Sequence, residues 1–167
     1  MQDSSNHSPF TIDYSREPAA IRIIAAARGW LGTPYRHQGA RKGVGCDCLG
    51  LVRGVWAEVY GEEAERPGPY APDWAEGSGR EAFMDAARRH CIEKDGLDVE
   101  AGDLILFRWR PHLPAKHAAI AVAADRFIHA YQGHAVLESA LVPQWRARIA
   151  GVFRFPEIAS AGPGGMT

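Results

Sequence analysis

Apolar residues recur at helical spacing from residue 18 to residue 31. Ile21, Ile24, Ala25, Trp30 and Leu31 carry the period, Pro18 suits a first helical turn, and Gly32 with Pro34 breaks it. A second helix is predicted from Cys48, with Leu51, Val52, Val55, Trp56, Val59 and Tyr60 on one face and Gly61 as its stop. A shorter helix is predicted around residues 80–91, with Phe83, Ala86, Ala87 and Cys91 turned inward. Between the first two helices, residues 33–45 read as loop, punctuated by Pro34, Gly39, Gly43 and Gly45. Residues 62–78 hold Pro67, Pro69 and Pro72 and read as a long surface excursion, of the kind that often serves as a lid or binding loop.

Downstream the period changes. Residues 104–107, 117–123, 126–129, 135–137 and 151–155 are short apolar runs, several of them separated by turn signals at Ala124 and Asp125 and at Gln132 and Gly133. They predict an antiparallel sheet of about five strands. Helices first and strands after them predict an α+β fold, with the N-terminal helices packed on one face of the sheet. Residues 1–17 are polar and without period, and are expected to be a flexible or docking arm. Residues 18–156 are expected to form one folded domain, and the small, Gly-rich residues 157–167 a disordered tail.

At 167 residues the chain is long enough for one domain with a sizeable core. Its formal net charge of −1 gives no basic footprint, so nucleic acid is not an expected partner. No apolar run approaches the roughly 18 residues of a spanning helix, which argues against membrane insertion. The first 20 residues lack the basic start and apolar core of a secretory signal, so synthesis as a soluble cytoplasmic protein is expected.

Three cysteines do not make a disulfide framework. Cys46 and Cys48 are separated by one residue, and Cys91 stands far off. With no CxxC or HxxxH pairing, the residues call for no metal, and nothing in them calls for a cofactor. A lone reactive thiol fits better, and position favours Cys48 over Cys46. A cysteine nucleophile is needed as thiolate, and a helix N-terminus or an adjacent imidazole lowers its pKa. Cys48 opens the second helix, where free backbone N–H groups also suit a developing oxyanion. Asp47 is placed to cap that helix, and Gly50 allows close backbone approach.

The imidazole must come from the sheet. His117 opens one strand, His129 closes the next, and a hairpin through Ala124 and Asp125 sets them side by side, within a residue or two of register. That suits a nucleophile–base–orienter triad, in which His117 takes the thiol proton and His129 fixes its tautomer. A cysteine at a helix start is by default a small hydrophobe, and any one of seven histidines is by default a surface residue. The joint arrangement outweighs those defaults. His7, His90 and His134 have no partner that the sequence supplies and are expected at the surface.

The string GTPYRHQGARKGVGCDCLGLVRGVW resembles the signature of the NlpC-type cell-wall cysteine peptidases, in which a TPY-glycine loop precedes a DC-small-G-L-V nucleophile helix. AGDLILF resembles that family's GDL strand, and KHAAIAVAADRFIHAY its histidine strand followed by an I-H-A strand. The resemblance covers roughly residues 19–155. It implies a papain-like α+β fold with Cys48 as nucleophile, His117 as general base and His129 as orienter. Tyr35 would then shape the oxyanion region or bond the substrate. The implied activity is endopeptidase cleavage of peptidoglycan stem peptides, commonly between D-glutamate and a diamino acid. The chain departs from the pattern at Leu49, where serine is usual, at Ala40, where a second glycine is usual, and at Ala118 and Ala119, where Val-Gly is common. These changes alter the substrate pocket more than the chemistry. The CDCLGLVRGVW form resembles the branch found among phage and gene-transfer-agent tail peptidases, which implies phage-like tail proteins as partners and delivery to the cell wall by the particle.

Arg108 and Arg110 sit in the turn between the GDL strand and the His117 strand, which is expected to hang beside the groove. Stem peptides carry free carboxylates, which arginine grips bidentately, so both are candidate substrate contacts beside a solvated-turn reading. Two other functions stay open: an amidase or acyltransferase on the same fold, and a catalytically silent tail or scaffold component.

Overall fold

The computed structural model describes residues 18–70 and 79–159. The expected 1–17 arm, part of the 62–78 excursion and all but the first residues of the 157–167 tail lie outside them. Helix α1 (Ala19–Gly29) buries Ala19, Ile23 and Ala27, with Trp30 beyond its end. Ile21, Ala25 and Leu31, expected on the inner stripe, face solvent instead. Ala19 and Ala27 turn inward, where their small side chains let α1 lie close to its neighbours. Helix α2 (Cys48–Tyr60) buries Gly50, Leu51, Val55 and Val59. It ends at Gly61, whose φ of 85° is the left-handed conformation that glycine adopts without strain. Helix α3 (Ala82–His90) buries Phe83, Met84 and Ala87 and places Arg88, Arg89 and His90 in its last turn, where positive charge suits the helix dipole.

The loop predicted over 33–45 contains a small hairpin, β1 (Ala40–Arg41) and β2 (Gly45–Cys46). The main sheet has six strands rather than five: β3 (Ile92–Glu93), β4 (Leu104–Phe107), β5 (His117–Ala123), β6 (Arg126–His129), β7 (Leu137–Ala140) and β8 (Ile149–Arg154). Their order is β3-β8-β4-β5-β6-β7, every neighbouring pair antiparallel. The additional edge strand β3 is two exposed residues paired to β8, too short to show alternation. The run expected at 135–137 is a strand only from Leu137 onward, and a short helix, α4 (Pro143–Arg146), precedes β8.

Alternation along β4 and β5 feeds two cores. Leu104, Leu106, Ala118 and Ile120 meet Ile23, Leu51, Val55 and Phe83 on the face covered by α1, α2 and α3. Ile105, Phe107, Ala119 and Ala121 pack on the opposite face with Phe127, Val152 and Trp145 of α4. Being buried on both faces, β4 and β5 read as unbroken apolar runs, as expected of central strands. The class is α+β and papain-like, with the three long helices on one face of an antiparallel sheet.

Candidate active site

The first residue of α2 is Cys48, and the preceding Asp47 caps the helix, its Oδ1 accepting from the Gly50 N–H at 2.8 Å. Gly50 is required here. A Cβ on it would lie 1.7 Å from the Gly39 carbonyl oxygen, so only glycine lets the helix start press against the 39–40 backbone. The Asp47 N–H donates to that same Gly39 carbonyl at 3.2 Å.

Asp47 does more than cap. Its Oδ2 also accepts from the Gln38 N–H at 2.8 Å and from the Tyr70 hydroxyl at 2.5 Å, with His37 Nδ1 3.9 Å away. Gln38 has φ 61°, a left-handed conformation unusual outside glycine, and the Asp47 bond helps hold it there. The Tyr70 carbonyl in turn accepts from the Gln38 side-chain amide and lies 2.9 Å from His37 Nε2. One buried carboxylate thus ties the helix start, the 37–39 turn and the end of the 62–70 segment together.

The start of β5 runs past the thiol. Cys48 Sγ lies 3.9 Å from the Lys116 carbonyl oxygen, and the Ala118 N–H acts on the sulfur from the other side of His117. His117 Nε2 is 2.9 Å from His129 Nδ1, and His129 Nε2 is 2.9 Å from Ser139 Oγ. Ile120 pairs with Ile128 and Ala121 with Phe127, with a bulge before Ala123. Continued, that register sets Ala119 opposite His129. The two histidines are therefore diagonal neighbours on one sheet face, two residues from the direct opposition the sequence suggested. Both are buried, at 5% and 2% exposure, inside a casing of Phe107, Trp109, Phe127, Tyr131 and Trp145 rings. The Trp109 indole stacks on His117, and the Arg148 guanidinium lies over the same indole.

Burial decides the protonation states. It pushes the Cys48 thiol up to about 12, helped by the Asp47 carboxylate and opposed by the N–H groups of Ala118, Leu49 and Cys48 itself. It pushes His117 down to about 3, with His129 adding to the effect, and His129 down to about 4, with His134 adding. The helix start alone predicted a lowered thiol pKa. Desolvation and a carboxylate one residue away reverse that sign, favouring a neutral thiol beside neutral imidazoles.

Cys48, His117, Tyr35, His37, Asp47, Tyr70, Trp109 and Tyr131 all line one cleft of about 460 Å³. Tyr35 is thus brought to the thiol, and burial, followed by the charges around it, raises its hydroxyl pKa, leaving a donor. Cys46 is fully buried in β2 and is not among the residues that line this cleft. Arg108 and Arg110 are not among the cleft residues. The Arg108 guanidinium bonds Glu81 Oε1 and the Leu113 carbonyl oxygen, each at 2.7 Å, and Arg110 is exposed. His90, expected to be unpartnered at the surface, is half-buried and bonds Glu65 at 2.9 Å. Leu49 and Ala118, two departures from the motif, line an adjoining apolar cavity of about 340 Å³ with Phe83, Leu104, Leu106 and Phe155. Sequence reasoning missed Ser139, Trp145 and Tyr70, and it set Trp109 beside the groove only as part of the turn that holds Arg108 and Arg110. A strand pattern that put Ser139 on the same face as His129 was the one available signal, and the aromatic casing had none.

The chain is similar to known proteins in sequence and in fold. The model of the NlpC/P60 family matches residues 32–154. The chain is 26% identical over 141 residues to the gamma-DL-glutamyl hydrolase of Bacillus subtilis, covering 84% of this chain and 30% of that protein. It is 28% identical over 120 residues to a protein of Haemophilus influenzae named probable endopeptidase NlpC homolog, covering 71% and 53%. The chain therefore spans about half or less of these relatives' own lengths. Among solved structures, the NlpC/p60 domain of the peptidoglycan hydrolase SagA matches with a TM-score of 0.58 at 27% identity, over 81% of this chain and 98% of that one. An NlpC/P60 family protein from Bacillus cereus matches in fold with a TM-score of 0.61 at 23% identity, over 83% and 40%.

Proposed function

The chain belongs to the NlpC/P60 family, and on that premise we propose that it is a cysteine endopeptidase of peptidoglycan stem peptides. Cys48 is the nucleophile, His117 the general base and His129 the residue that orients it. The observation that carries this reading is the 2.9 Å bond between His117 Nε2 and His129 Nδ1 at the edge of a cleft that also holds the Cys48 thiol. With Nε2 occupied by that bond, His117 Nδ1 is left to take the thiol proton. The sulfur attacks the amide carbonyl, and the tetrahedral oxyanion forms near the backbone N–H groups at the start of α2 and the Tyr35 hydroxyl. His117 then gives its proton to the leaving amine, and water hydrolyses the thioester. With burial raising the thiol and lowering the imidazole, this reading has proton transfer accompany attack.

The scissile bond in this reading joins D-glutamate to a diamino acid. The similarity to a protein named gamma-DL-glutamyl hydrolase supports it. Mass spectrometry of stem peptides incubated with the protein tests both statements. A D-glutamyl cut that Cys48→Ala abolishes is expected, and an intact peptide, or cleavage of a different bond, overturns the assignment. Delivery by a phage-like tail is a further part of the proposal, supported by the Cys-Asp-Cys-Leu-Gly-Leu-Val-Arg form of the nucleophile helix. Co-purification with tail proteins tests that part. Among the described residues, no helix is long and apolar enough to cross a membrane.

A further inference from the structure

His117, His129 and Ser139 form a diagonal row across three adjacent strands. In the β6–β7 pair, Leu137 lies opposite His129 and Ser139 lies opposite Phe127, so Ser139 is the diagonal neighbour of His129 on the same sheet face. Each link of the row is 2.9 Å. From this row we infer that Ser139 is a positioning residue of the active site, which accepts a hydrogen bond from His129 Nε2–H and thereby keeps His117 in the tautomer that can act as base. The inference rests on the cysteine–histidine reading above.

Proton counting carries it. Two neutral imidazoles hold one N–H each, and the ring-to-ring bond contains one of those protons. If it sits on His117 Nε2, then His117 Nδ1 carries a lone pair and can receive the thiol proton. His129 Nδ1 is then the acceptor, and the His129 proton must be on Nε2, pointing at Ser139 Oγ. If the shared proton sits on His129 Nδ1 instead, His117 carries Nδ1–H and cannot accept from the thiol. His129 Nε2 then needs a donor. The serine hydroxyl can accept from or donate to His129 Nε2. Once His117 is an imidazolium, however, its Nε2–H points at His129 Nδ1 and the His129 proton stays on Nε2. Only the accepting role of Ser139 then remains, which is the role that belongs to the first arrangement. The other rings around His129 come from Phe127, Tyr131 and Trp145. Without Ser139 the His129 Nε2–H would be turned toward that aromatic casing, and the base-competent arrangement would lose its advantage.

Ser139→Val and Ser139→Thr isolate the hydroxyl, since both are β-branched and suit a strand. Steady-state kinetics on a stem peptide is expected to give Thr kinetics within about twofold of wild type. The Val variant is expected to lose about tenfold in kcat with KM unchanged, which is the loss of one hydrogen bond acting through the base. Imidazole 15N NMR of the free protein supplies a second readout that needs no turnover. His129 is expected with Nε2 protonated in wild type and Ser139→Thr, and as a mixture of tautomers in Ser139→Val. Equal kcat in Val and Thr, or a His129 tautomer unmoved by Val, overturns the inference. A wild-type protein inactive on stem peptides with the tautomer shift intact would overturn the proposed function and leave the role of Ser139 in the relay standing.

Discussion

His117 and His129 are joined at 2.9 Å across the diagonal of a strand pair, not across its rungs. Diagonal neighbours on one face stand farther apart than direct partners, and two imidazoles span that gap where shorter side chains would not. The bulge beside Ala123 shifts the register that makes the diagonal available.

The neutral resting pair has a direct chemical consequence. With the Cys48 thiol up at about 12 and His117 down at about 3, sulfur and imidazole both stay uncharged between those limits. Alkylation of Cys48 by iodoacetamide tracks the thiolate fraction, so its rate is expected to climb about tenfold per pH unit from pH 6 to pH 9. A rate plateau between pH 5 and pH 7 that disappears in His117→Ala would mean a thiolate–imidazolium pair instead.

Cys48→Ala is expected to abolish turnover. Cys46→Ala should leave kcat within about twofold and lower stability by about 1–2 kcal/mol, because its side chain is fully buried in β2. Kinetics and thermal melts of both variants check this pair. Comparable loss of activity in two folded variants would point to joint action of the thiols.

Burial of the histidines makes stability pH-dependent. Both are pushed below their ordinary value near 6.5, so the unfolded chain takes up their protons first. Their contribution is complete above about pH 6.5 and is lost as pH falls toward about 4 for His129 and about 3 for His117. The slope is at most about 1.4 kcal/mol per pH unit for each. Urea unfolding at pH 7.5 and pH 5 should show the acid sample weaker, and His129→Gln should flatten the difference. An unchanged midpoint in wild type contradicts the burial account.

Tyr35→Phe removes one donor from the cleft and no apolar packing. A fall in kcat of about tenfold at unchanged melting temperature is expected, within the roughly 3–4 kcal/mol ceiling for a single oxyanion donor. Wild-type kcat in the variant would reduce Tyr35 to a wall of the cleft.

Arg108 holds Glu81 and the Leu113 carbonyl, and Glu81 Oε2 accepts from the Ala115 N–H at 3.0 Å. Arg108→Ala is therefore expected to cost about 1 kcal/mol of stability by loosening the turn before β5. It should not change the ratio of kcat/KM for a carboxylate-bearing peptide and its amide. A drop in that ratio, with stability intact, would return Arg108 to the substrate.

The position of Cys48 was legible because its signals are local: Asp47 as cap, Cys48 at the helix start and Gly61 at the end belong to a single element. The histidine pair was legible through hairpin arithmetic to within two residues, since turns fix register only approximately until a bulge is known. The sign of the thiol shift was not legible. It depends on how much of the chain closes over Cys48, and that is tertiary. Tyr70 and Trp145 escaped for the same reason, as each reaches the site from a segment with no period of its own. Ile21 faces solvent and Ala27 is buried because a helix packs by shape as well as by polarity.

The contact between Gly50 and the Gly39 carbonyl separates two kinds of position around one cleft. The sulfur takes its position from backbone pressed on backbone and from the Asp47 cap, so exchanges along the apolar wall leave it in place. Leu49 and Ala118 border the thiol yet belong to a neighbouring apolar wall, where substitution reshapes the room available to a ligand. The walls around this joint can be recast while Cys48 stays where it is, and a side chain at residue 50 is a change that the joint itself forbids.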